Sequence, residues 1–138
     1  MTDAKERHLH IAFAASSNGL GIVVKDEAYK VIATHHAGTE GPERFHPWQA
    51  LLAALQLAVD LEATKVTLYS HHGNLANMAK LANGQSETAE LAGYSAVAWG
   101  LLFGRFMGHF AFKEIDEEKN PAIAVARDDK AGIGVQRR

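Results

Sequence analysis

Three short strand-like runs open this chain, joined by links too short to hold a helix, and that spacing constrains the fold more than any other feature. "HLHIAFAASS" at 8–17 alternates weakly in polarity and ends in the turn signal "SSNG". "LGIVVK" at 20–25 is the second run, "DEAY" turns the chain, and "YKVIATHH" at 29–36 is the third. Parallel neighbours need a crossover of a dozen or more residues, so these links predict an antiparallel meander. His8 and His10 fall on one face of the first run, and His35 and His36 end the third. All four are expected as edge or surface residues and not as a metal cluster.

Beyond a loop containing Gly38, Gly41 and Pro42 the pattern changes. Pro47 suits the first residue of a helix, and "PWQALLAALQLAVDLEA" at 47–63 follows. It sets Trp48, Leu51, Leu52, Leu55, Ala58 and Val59 at the spacing of one buried helical face. Next come a strand "KVTLYS" at 65–70, a short helix at 74–83 and a long helix at 87–108 that is apolar over more than one stripe. A fifth strand at 109–115, a last helix from Pro121 to about Lys130 and a tail at 131–138 complete the order. The expectation is one α/β domain over 1–138, with its core at about 8–130 and helices on both faces of a mixed sheet.

Composition narrows the chemistry. A chain of 138 residues with 47% apolar and 22% charged residues is globular. It has no cysteine, hence no disulfide, thiolate metal site or thiol nucleophile. With 14 basic and 16 acidic residues the net charge is −2, so tight nonspecific binding of nucleic acid has no support from overall charge, although a local basic patch is compatible with it. "MTDAKERHLH" carries no long apolar run, so neither a signal peptide nor a membrane span is expected, and a cytoplasmic location is the default.

The element order, with several local matches, resembles the ribonuclease H fold in its type I (bacterial and retroviral) branch, from about His10 to Arg127. The matching pieces are "IAFAASSNG", "GLGIVV", "WQALLAALQLA", "VTLYSHHGNLANM" and "FAFKEIDEEKNPAIAVAR". The resemblance implies a five-stranded sheet in the order 3-2-1-4-5, with strand 2 antiparallel to its neighbours and strands 1, 4 and 5 parallel. That family cleaves RNA in RNA–DNA hybrids with two magnesium ions held by four carboxylates. Placed on this chain, those carboxylates fall on Ala14, Gln49, His71 and Ala124, and all four are replaced. Magnesium favours anionic oxygen ligands, so the expectation is no metal, no other cofactor and no nuclease activity.

Around these positions His46, Gln49, His71 and His72 are the candidate ligand-binding residues. Three readings stand: a polar hydrogen-bonded pocket, an anion or phosphate site, or a zinc site. Adjacent histidines at a strand end point to opposite faces, which weighs against both serving one ion. Carboxylates of "DEEKN" at 116–120, or Asp128, are candidate replacement ligands and are read as solvated. Phe45 and His46 stand where the resemblance places asparagines that read the hybrid, and Lys80 and Arg105 are the basic residues between Asn74 and Gly108. The surplus apolar residues Trp99, Phe103, Phe106 and Met107 either pack on neighbouring helices or form a twofold homodimer interface. The expected role is that of a catalytically inactive ribonuclease H-like domain in binding or assembly, with nucleic acid as a candidate partner. Its rivals are a structural or protein-interaction subunit and an enzyme of different chemistry with a His-containing metal site.

Overall fold

Five strands form a single sheet in the order β3-β2-β1-β4-β5 in the computed structural model, which describes residues 6–41, 43–71, 97, 100–107 and 109–127. The strands are β1 (His8–Ser16), β2 (Gly19–Lys25), β3 (Val31–Ala37), β4 (Lys65–Ser70) and β5 (Phe110–Glu114). The first three make the expected meander: β1 pairs antiparallel with β2 from His10↔Lys25 to Ser16↔Gly19, and β2 pairs antiparallel with β3. β4 lies parallel to β1, with Ala12 opposite Tyr69, and β5 lies parallel to β4. Strand order and directions therefore agree with the expectation.

Alternation along β1 divides the molecule into two layers. Leu9, Ile11 and Phe13 enter the main core, while Ala12 and Ala14 join a smaller cluster on the opposite face. The main core lies between the sheet and helix α1 (His46–Asp60), which turns Trp48, Leu51, Leu55 and Ala58 inward at helical spacing. Helix α1 ends by paired bonds from Glu62 N–H to the Val59 carbonyl and from Ala63 N–H to that of Ala58. Glu62 takes the left-handed conformation (φ 63°) that this ending requires.

A π-helical turn at Leu101–Arg105 closes the far side of the main core, to which Leu102 and Phe106 both belong. Phe106 is 1% exposed, so the expectation that it lies in a dimer interface is corrected: it fills the monomer's own core, one turn from Leu102. Met107, in contrast, is 77% exposed. Trp99 and the Phe103 side chain lie outside the described residues, as do His72, the expected helix at 74–83, most of that at 87–108, Asp128 and the tail.

On the other face lies the short helix α2 (Ala122–Arg127), packed against β1 and β2 through Ala122, Val125 and Ala126. It sits directly on Gly21: a Cβ there would come within 2.5 Å of the Ala122 carbonyl oxygen. The rest of this face, toward the start of β1, holds His8 and His10. His10 is only 7% exposed, which corrects its reading as an edge or surface residue: β1 is the central strand, and Tyr29 and Tyr69 lie against the imidazole. Among the described residues no helix is long and apolar enough to cross a membrane.

Candidate functional site

The C-terminal ends of parallel strands are where open α/β sheets usually place their chemistry. Here β1 and β4 end side by side at Ala14–Ser16 and Ser70–His71, with the N-termini of α1 and α2 approaching from either face. Ala14 is fully buried and packs in the cluster of Val23, Ala122, Val125 and Ala126. Ala124, on α2, is exposed and has no ligand atom. Thus two of the four positions where the resemblance places carboxylates present only methyl groups.

The other two hold polar side chains that are occupied by the protein itself. Gln49 grips the backbone of Glu40 at both ends, its Oε1 accepting from the Glu40 N–H (3.0 Å) and its Nε2 donating to the Glu40 carbonyl (2.8 Å). This clasp fixes the loop that leads into α1. His46 Nε2 is bonded to the Gly41 carbonyl (3.0 Å), so it too secures that loop.

His71 is held by a residue that the sequence reading passed over. Asn120 is buried, and its Oδ1 accepts from the Ala122 N–H (2.9 Å) while its Nδ2 donates to the Phe13 carbonyl (3.1 Å). A backbone N–H only donates and a carbonyl only accepts, so these two contacts fix the orientation of the amide. The remaining amide hydrogen is directed to His71 Nδ1, 3.0 Å away. Nδ1 is therefore an acceptor, and the neutral ring carries its proton on Nε2. Burial pushes the His71 pKa below the ordinary value; Glu117 partly opposes that and Arg127 adds to it. A signal for Asn120 was present in "KNPA", because Asn followed by Pro marks a helix N-cap and its first residue.

Two cavities flank these residues. One, of about 430 Å³, is lined by Glu117, Glu118, Asn120, Ile123, Ala124 and Arg127; the other, of about 240 Å³, includes Ser16, Glu43 and His46. Arg127 is bound to Glu117 at 2.9 Å, so the described rim carries more acid than base. His46 and Gln49 bond the loop at Glu40 and Gly41 while His71 meets Asn120, and among the described residues no three His, Cys, Asp or Glu side chains are grouped to hold a metal ion.

Solved structures agree with this architecture over nearly the whole chain. An N-terminal RNase H domain from Mycobacterium tuberculosis, solved as a fusion with maltose-binding protein, superposes with a TM-score of 0.72 at 16% identity, covering 96% of this chain and 99% of that one. The chain has the ribonuclease H fold. RNase H1 from the halophilic archaeon Halobacterium salinarum gives a TM-score of 0.64 at 18% identity, covering 92% of this chain and 97% of its own. The LC11 RNase H1, solved in complex with an RNA/DNA hybrid, gives 0.62 at 17% identity, covering 84% and 89% of the two chains. No family model and no curated protein matches the sequence. At such identities the ribonuclease H likeness defines the fold, and function has to be argued from this chain's own residues.

Proposed function

We propose that this chain is a ribonuclease H-fold domain that works in binding or assembly and does not cleave phosphodiesters by the two-metal route. Ala14 carries the reading. It stands where the first ligand carboxylate would be and is buried against α2, where it contributes packing and no oxygen. Gln49 and His71 add to it, since each is engaged with the fold's own backbone or side chains. Two magnesium ions close together repel strongly unless anionic ligands neutralise them, and these four positions supply no anion.

For the partner, the hybrid bound to the LC11 enzyme makes nucleic acid the first ligand to test. A second reading, a protein-interaction subunit, is supported by β3. This edge strand and the turn before it expose Tyr29, Val31 and Ile32, and an uncharged edge is a template for strand addition. The acidic rim also weighs toward it, because carboxylates repel phosphates and Lys or Arg supply most of the affinity for them.

One experiment tests the loss of chemistry. The purified protein is incubated with a labelled RNA–DNA hybrid in magnesium and in manganese, and its melting temperature is followed with and without magnesium. The expected outcome is an intact hybrid and an unchanged melting temperature, since a cation without a site gives no stabilisation by mass action. Metal-dependent cleavage that co-purifies with the protein overturns the proposal.

A further inference from the structure

A third cavity, of about 220 Å³, lies on the sheet face that carries α2, lined by His10, Ala12, Val23, Tyr29, Tyr69 and Ile115, with Lys25 and Lys119 also in its wall. On β1 the cavity runs from His10 to Ala12, which lies two residues and ~7 Å from Ala14 on the same face, so it adjoins the position where the resemblance places the first carboxylate. We propose that it is a pocket for a single nucleobase, whose phosphate is taken by Lys25 and Lys119. The proposal does not rest on the loss of hydrolysis, because it concerns other residues.

The walls are rings. His10 lies 4.3 Å from Tyr29 between centroids and 5.8 Å from Tyr69, and His8 extends the row at 4.3 Å. Hydrogen bonds fix them: His10 Nδ1 and the Tyr69 hydroxyl are 2.7 Å apart, Tyr69 is bonded in turn to Tyr29, and His8 Nε2 meets Thr67 Oγ1 at 2.7 Å. Burial lowers the His10 pKa, with His8 and Lys113 adding to the effect, which favours the neutral imidazole packed behind Tyr29 and Tyr69. Of these rings Tyr29 is the exposed one, and an exposed aromatic ring beside a cavity is a stacking partner for a base.

Tyr29 is placed against a conformational preference. Its φ is +65°, where a bulky side chain is rare, and it is held there by Asp26. The Asp26 side chain accepts from Ala28 N–H (2.8 Å) and Lys30 N–H (3.0 Å), and its carbonyl accepts from Tyr29 N–H (2.9 Å). Glycine would suit this turn without strain, so the aromatic ring is kept for its contacts: one side covers His10 and the rest, 61% of the residue's surface, stays exposed at the cavity.

Size and charge select the ligand. The cavity is smaller than the ~300 Å³ at which drug-sized pockets begin, so it admits one planar ring and leaves any attached group at the mouth. Aromatic cages often receive cations, but Lys25 and Lys119 line this one, and Lys113 and Lys65 act on His10 and His8. Glu27 and Glu6 are the acids that oppose them there, and the Lys119–Asp116 pair, at 4.0 Å between exposed side chains, neutralises little. A ring bearing negative charge fits this field, and a nucleotide has both parts. A free nucleotide and a nucleotide within a single strand share that chemistry.

Titrations with the four nucleoside 5′-monophosphates, uncharged nucleosides, inorganic phosphate and homopolymeric single-stranded RNA, followed by chemical-shift changes at His10 and Tyr69, test the proposal. Saturable binding of a monophosphate is expected. Tyr29→Gly should weaken it about tenfold through loss of one stacking partner while the fold is kept. The double variant Lys25→Glu, Lys119→Glu should weaken the monophosphate more than the nucleoside. Tighter binding of the homopolymer than of the monophosphate, lost in the same variants, assigns the site to a strand, and equal affinity assigns it to free nucleotide. Absence of saturable binding of all these probes up to about millimolar concentration overturns the proposal. So does binding that Tyr29→Gly leaves unchanged.

Discussion

Asn120 has one carboxamide and three partners, and through them it organises the junction of β1, β4 and α2. It caps α2, ties that helix to the β1 backbone at Phe13, and sets the tautomer of His71. Removing the amide strands a buried carbonyl and uncaps α2, so Asn120→Ala is expected to lower stability by about 3 kcal/mol in urea unfolding. A more selective variant is Asn120→Asp, which keeps the capping oxygen but turns an acceptor toward His71 Nδ1. His71 should then be protonated more readily, and its pKa should rise in an NMR titration. An unmoved His71 pKa would refute the assignment of Nδ1 as the acceptor. "KNPA" carried the cap in its sequence, but the contacts with Phe13 and His71 join positions 107 and 49 residues away, which no local pattern encodes.

Helix α2 spans six residues, too few to be stable alone, so its position is imposed by what surrounds it. Asn120 holds its start, and the β1–β2 hairpin holds its end: Ser16 Oγ donates to the Ala126 carbonyl (2.8 Å) and Asn18 Nδ2 to that of Arg127 (2.5 Å). Gly21 supplies the close approach between β2 and the helix, with α2 backbone atoms where a side chain would begin. A glycine inside a strand is a sequence signal of such an approach, although it does not say what approaches. Gly21→Ala should therefore displace α2 and cost about 1–3 kcal/mol. Hydrogen exchange should rise in α2 before it rises in β4, because β4 belongs to the larger core. Unchanged exchange in α2 would mean that the helix is held by its ends alone.

At the scale of the whole molecule, the meander of β1, β2 and β3 was legible because their links are too short for a crossover, whereas the place of β4 beside β1 and of β5 beyond it was implied by the family resemblance. The ring cluster was not legible, since His8 and His10 show only that they share a face of β1, and their burial depends on Tyr29 from a turn and Tyr69 from another strand. That burial has a consequence for stability. His8, His10 and His71 all have pKa values lowered from the ordinary value, in each case chiefly by burial; Lys65 adds to the effect at His8, and His8 and Lys113 at His10. The folded state thus disfavours the charged forms relative to the unfolded chain, whose histidines titrate near ~6.5. The stabilisation is complete above that pH and is lost as the pH falls from it through the folded-state values. Urea midpoints should therefore be flat above about pH 7.5 and decline toward about pH 5, before most carboxylates begin to titrate. A midpoint that does not fall over this interval would show that the three imidazoles are solvated, and would contradict the burial of His10 behind Tyr29 and Tyr69.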